Sequence, residues 1–102
     1  MIDNLEVVVD PLFETSGEYV GKASLLGNPF AGSRNPQDDL EAYRWWLLRN
    51  ISDNLQVRSE VYRLAYLYQG RGQLVLVCRD CNDAKTCHAQ LIRDMILALV
   101  KE

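Results

Sequence analysis

Gln73 to Val100 limits the possible folds more than any other stretch: a short apolar run, a cysteine-rich turn, then a long segment with one apolar face. Gln-Leu-Val-Leu-Val has no polar alternation, which is how a strand reads when both of its faces are covered, so it belongs at the centre of a sheet. The run passes into Cys78-Arg79-Asp80-Cys81-Asn82-Asp83-Ala84-Lys85-Thr86-Cys87-His88. From Ala89 onward, Ile92, Met95, Ile96 and Leu99 recur at helical spacing. Strand, loop and helix in that order set the loop at the strand's carboxyl end and aim the helix's free N–H groups at whatever binds there. A functional site is expected at this junction.

A chain of 102 residues supports one α/β domain over 1–102, with a single core. Its 48% apolar and 25% charged residues are the balance of a globular protein, not of a disordered tail. A formal net charge of −3 argues against generic nucleic-acid binding and leaves only local basic patches. Met1-Ile2-Asp3-Asn4-Leu5-Glu6 lacks the basic start and apolar core of a signal peptide, and no run approaches the roughly 20 apolar residues of a membrane span. The expectation is a cytoplasmic protein without membrane contact. Three cysteines between positions 78 and 87 then argue for thiols or a metal site over a disulfide framework.

Toward the amino end, Glu6-Val7-Val8-Val9 reads as a strand stopped by Asp10-Pro11, because proline cannot donate to a ladder. Glu18-Tyr19-Val20 reads as a shorter one between Gly17 and Gly21, and the two could pair directly. Gly21 to Pro36 is too rich in glycine, proline and small polar residues for regular structure, and long ordered loops of this kind tend to be functional. A helix then starts with Asn35 as cap, Pro36 in first position and Asp38 and Asp39 in the first turn. Leu40, Tyr43, Leu47 and Ile51 mark its apolar face, with Trp46 beside it. Asp53 and Gln56 have capping-box spacing at the start of a second helix, whose face is Val57, Val61, Leu64, Ala65 and Tyr68 and which Gly70 is placed to close.

The cysteine cluster supports three readings. Cys78, Cys81, Cys87 and His88 offer the thiolates and imidazole of a structural zinc site, although adjacent Cys87 and His88 would have to reach one ion from neighbouring positions. Alternatively, Cys87 or Thr86 caps the last helix and His88 lies in its first turn, so that exposed N–H groups receive an anionic or polar ligand; a helix amino terminus also lowers a thiol pKa, which would make Cys87 reactive. The third reading has the cysteines as small buried hydrophobes and His88 as decoration of a helix start. His88 is the only histidine, so acid–base work near neutral pH would fall to it, with Cys87 as the other catalytic candidate. Asp80 and Asp83 flank the same turn, where aspartates usually bond their own backbone. Lys22, Arg71, Arg79 and Lys85 suit a phosphate or carboxylate if several converge. Trp45, Trp46, Tyr62, Tyr66 and Tyr68 are read as packing residues, an exposed subset of which would form an oligomer face, a base-stacking platform or a partner patch.

Three separated pieces carry a family likeness. Tyr19-Val20-Gly21-Lys22-Ala23-Ser24-Leu25-Leu26-Gly27-Asn28-Pro29-Phe30, the helical Tyr43-Arg44-Trp45-Trp46-Leu47, and Leu76-Val77-Cys78 through Cys87-His88-Ala89 resemble a small domain-of-unknown-function family of bacteria and phage. That family combines a Gly-Arg…Gly-Asn-Pro-Phe loop, a Tyr-Arg helix and a Cys-x-Cys…Cys-His-Ala-Asp strand–loop–helix. The resemblance implies a fold and a site position more than a reaction. Its last motif is similar to the strand–loop–helix of Rossmann-like proteins that bind nucleotide-derived ligands, some of which cleave N-glycosidic bonds. This chain departs from the pattern at Lys22, in the two-residue spacing of Cys78 and Cys81, and at Gln90, where the family has an acid. The last change counts against a hydrolase.

These readings converge on a small single-domain Rossmann-like α/β fold, with a mainly parallel sheet centred on Leu74 to Cys78 and three main helices. The leading expectation is a nucleotide- or nucleoside-like small ligand between the Gly21–Arg34 loop and the Cys78–His88 turn, lined by Lys22, Ser24, Asn28, Arg44, Cys78, Arg79, Cys87 and His88. On that reading, His88→Ala abolishes binding and leaves the melting temperature nearly unchanged. The alternatives are a non-enzymatic interaction module, zinc-stabilised or phage-encoded and acting on a host partner, and, third, an N-glycosidic hydrolase. The aromatic helix faces also make a homodimer an expectation.

Overall fold

The structure is a computed structural model and describes residues 4–10, 16–21, 24–29, 36–78 and 87–101. The elements run β1 (Leu5–Val9), β2 (Glu18–Tyr19), α1 (Pro36–Asp53), α2 (Leu55–Arg71), β3 (Leu74–Cys78) and α3 (Ala89–Lys101). The cap expected at Asn35 lies outside the described residues.

Both short strands pair parallel with β3, giving the order β1-β3-β2. Leu5 is opposite Leu74 and Val9 opposite Cys78 on one side, and Glu18 and Tyr19 are opposite Leu76 and Val77 on the other. The apolar run is thus the middle strand, as its composition requires. The direct pairing of the first two strands does not form: they run parallel, so no tight hairpin can join them, and β3 lies between them.

Leu5, Leu74, Leu76 and Cys78 share one core with Val57, Val61 and Leu64 of α2, Ile92 and Ile96 of α3, and Tyr43 and Leu47 of α1. The spacing of these helical residues is the i, i+3, i+4, i+7 recurrence read from the sequence. Arg93 of α3 donates from Nε to the Leu5 carbonyl at 2.8 Å and fixes that helix against β1. Two caps differ from expectation by one or two residues. Asn54, not Asp53, caps α2, its side-chain oxygen accepting from the Gln56 and Val57 N–H groups, because α1 runs through Asp53 and leaves Asn54 extended. The helix closes at Gly72, whose φ of 73° only glycine adopts without strain, and not at Gly70, which is still helical. Among the described residues, no helix is long and apolar enough to cross a membrane.

Candidate metal centre

Parallel pairing brings all three strand carboxyl ends to one edge. There the Asp10 N–H donates to the Cys78 carbonyl at 2.8 Å, and the Val20 N–H donates to the Val77 carbonyl at 2.9 Å. Helix α3 starts at the same edge, with the Gln90 N–H on the Cys87 carbonyl and the Leu91 N–H on the His88 carbonyl, each at 3.0 Å. Cys78 at the strand end and Cys87 and His88 just before the helix thereby put two thiols and an imidazole together. Cys78 and Cys87 are fully buried and His88 is 3% exposed. One ligand atom from each lies within 4.8 Å of the other two, so the three could hold a metal ion.

The histidine ring is oriented by what it touches. Its Nε2 is 2.6 Å from the Val20 carbonyl oxygen. A carbonyl only accepts, so Nε2 carries the hydrogen, and in the neutral ring Nδ1 is then the nitrogen with the lone pair. Nδ1 is 3.8 Å from the Cys87 Sγ. Around a tetrahedral zinc with Zn–S of about 2.3 Å and Zn–N of about 2.0–2.1 Å, neighbouring sulfur and nitrogen atoms stand about 3.5 Å apart and two sulfurs about 3.8 Å. The Cys87 sulfur and His88 Nδ1, 3.8 Å apart, are close to that spacing. A ring N–H held by a backbone carbonyl while the other nitrogen faces the ligand set is also how metal-binding histidines are usually supported.

Tyr43 closes the site from α1. Its hydroxyl donates to the Leu26 carbonyl at 2.6 Å. The ring meets His88 edge-on at 5.1 Å and stacks on Trp46 at 5.4 Å. Burial pushes the phenol well above its ordinary range, and the nearby Cys87 adds to the shift. Ser24 tightens the same loop, with both its Oγ and its N–H bonded to the Gly21 carbonyl.

A family model described as a domain of unknown function, DUF4326, matches residues 11–98. The chain belongs to this family. The DUF4326 span takes in β2, β3 and the Cys78, Cys87 and His88 cluster, and leaves β1 outside it. No curated protein and no solved structure matches the chain.

Of the residues expected to line a site, Cys78, Cys87 and His88 come together, and Ser24 and the half-buried Asn28 belong to the neighbouring loop. Arg44 is exposed and lines a groove between α1 and α3 that none of the three cluster residues lines. Lys22, Arg79 and Cys81 lie outside the described residues. Sequence reasoning passed over Asp10, a buried carboxyl at the end of β1, and the Tyr43 hydroxyl, which holds Leu26. An aspartate directly after an apolar strand was the available signal for the first. For the second, a lone tyrosine on a leucine-rich helix face offered a weaker one.

Proposed function

We propose that this protein is a non-enzymatic, zinc-stabilised α/β module. One ion is held by Cys78, Cys87 and His88 Nδ1; Cys81, the fourth ligand that the sequence offers, lies outside the described residues. The observation that carries the reading is the hydrogen bond from His88 Nε2 to the Val20 carbonyl, which leaves Nδ1 to face the Cys87 sulfur. Three thiolates and one imidazole are a ligand set of structural zinc, which closes its coordination shell and needs no open position. The ion would join β3 to α3 directly and, through His88, hold the Val20 carbonyl and the loop that follows. A reducing cytoplasmic setting keeps such thiols available for the metal.

Structural zinc in small peptides contributes apparent binding free energies of roughly 10–16 kcal/mol, against a total stability of about 5–15 kcal/mol for a domain. Metal removal is therefore expected to be severe. Native mass spectrometry of untagged protein should show one zinc per chain, lost in Cys87→Ser and His88→Ala, and chelation should lower the melting temperature by at least roughly 10 °C. Metal-free protein that melts at the same temperature with and without chelator would defeat the proposal.

A second reading is favoured by the buried Asp10 at an edge where three parallel strands end. Ligands of α/β folds bind outside such carboxyl ends. On this reading the edge takes a nucleotide- or nucleoside-like molecule, with Asp10 accepting from a hydroxyl or amino group. Calorimetry of the metal-loaded protein with nucleosides and nucleotides tests it, and heats of binding that Asp10→Asn leaves unaltered would count against it.

A further inference from the structure

We propose that the groove between α1 and α3 is a self-association surface that receives a second copy of this chain. The groove, of about 280 Å³, has Arg44, Leu47 and Leu48 on its α1 wall and Leu91, Asp94, Met95 and Ala98 on its α3 wall. Helix α3 commits Ala89, Ile92, Ile96 and Leu97 to its own core. Leu91, Met95 and Ala98 form a second apolar stripe at i, i+4 and i+7, turned toward the groove. On the facing wall, Leu48 is 41% exposed. Among the described residues, Leu91 and Met95 of this second stripe are half-buried against the core and Ala98 is exposed, so the stripe is only partly covered and is suited to a partner as well as to its own fold.

Charge selects the occupant. Arg44 is exposed and makes no ion pair with a described residue. Across the groove Asp94, also exposed, has only a loose 3.6 Å contact with neighbouring Arg93. The groove thus carries a positive charge on one wall and a negative charge on the other. A two-fold axis that sets α1 over the partner's α3 lets Arg44 pair with the partner's Asp94, and by symmetry it does so twice in each dimer. The apolar stripes meet between these two ion pairs. A surface that is its own complement in both charge and polarity points to a second copy and not to an unrelated partner. This inference does not depend on the metal.

Sedimentation velocity over a micromolar to millimolar concentration series should show a monomer–dimer equilibrium. Arg44→Glu sets like charges opposite each other at both ends and should weaken the dimer by roughly tenfold or more. The double variant Arg44→Glu/Asp94→Arg restores the complementarity with the signs exchanged, and should recover most of that loss. Both positions are exposed, so far-UV circular dichroism and melting temperature should match the parent for each variant. A chain that stays monomeric throughout, or a dimer whose dissociation constant Arg44→Glu does not move, would overturn the proposal.

Discussion

Tyr43 is a large apolar ring in the middle of the core whose one polar atom is fully used. Its hydroxyl reaches the Leu26 carbonyl at 2.6 Å, so Tyr43→Phe keeps the contacts with Trp46 and His88 and strands a buried acceptor. A lost buried hydrogen bond of this kind costs about 1–3 kcal/mol. The phenol also fixes a pH dependence. In the unfolded chain a tyrosine ionises near its ordinary value of 10.0, whereas burial raises the folded value beyond it. The stability associated with the neutral buried phenol is therefore fully present below about pH 10 and lost as pH climbs above it, because only the unfolded chain gives up the proton readily. Urea denaturation at pH 8 and again above pH 10 checks both effects: Tyr43→Phe should be less stable than the parent at the lower pH and should lose less on the way up. Equal losses in the two proteins would mean that the phenol is not sealed from water. His88 is engaged on both ring nitrogens, through Val20 and Cys87, so the expectation that His88→Ala leaves the melting temperature nearly unchanged gives way. A helix-start histidine open to ligand and one folded back onto a loop carbonyl look the same in sequence.

Strand β2 is two residues long and has little of its own to hold it. Among the described residues, it is held by its register on Leu76 and Val77 and by the ion pair between Glu18 and Arg63 of α2 at 2.8 Å. The pair is partly exposed and worth at most about 1 kcal/mol. Close approach does more, and it depends on Gly17. A Cβ there would fall 2.7 Å from the Val75 carbonyl oxygen and 2.8 Å from a Val77 methyl. Backbone cannot yield as a flexible side chain can, so Gly17→Ala should push β2 off the sheet at a cost of about 1–3 kcal/mol. For a domain of this size that is a melting-temperature drop of roughly 4–8 °C for each kcal/mol. Gly70 is the internal control: it is helical, a Cβ there meets nothing within 4 Å, and Gly70→Ala should stabilise by about 0.5–1 kcal/mol. A Gly17→Ala protein that melts with the parent would show that the strand accommodates the methyl. At this scale the sequence was readable wherever the cause was local. The apolar run at Leu74, the start of α3 at Ala89 and the apolar faces of α1 and α2 follow from neighbours a few residues apart. The order β1-β3-β2 does not, because it depends on pairing Leu5 with Leu74 and Glu18 with Leu76, partners far apart in sequence, and neither Leu5 nor Glu18 states its partner. Asn54 and Gly72 were missed by one or two positions because Asp53 and Gly70 carry equally good local chemistry, and only the full run of each helix separates them.

The metal reading predicts an uneven response of the whole molecule. The core is continuous from the α2–α3 contact to the cluster, yet its two ends are held differently. At the amino end of the sheet, the Leu74 N–H bonds the Asn4 carbonyl and Arg93 anchors Leu5, with no help from the cluster. At the carboxyl end, Asp10 and Val20 bond the carbonyls of Cys78 and Val77, next to the thiols and the His88 ring. Taking the ion away leaves thiols and an imidazole that no longer share a centre, and loosens the hold of α3 on β3 at that end. Structures open in local units whose free energies range from near zero up to the global value. Amide hydrogen exchange with and without chelator should therefore show the Val20 and Asp10 N–H groups losing protection first, while Leu74 and the α2 amides around Val61 and Leu64 keep most of theirs. Uniform loss across both ends would mean that metal release and global unfolding are one event. Unchanged protection at Val20 and Asp10 would mean that the cluster holds itself together as packed thiols, and Cys87→Ser would then be tolerated with only the small cost of a polar atom in an apolar site.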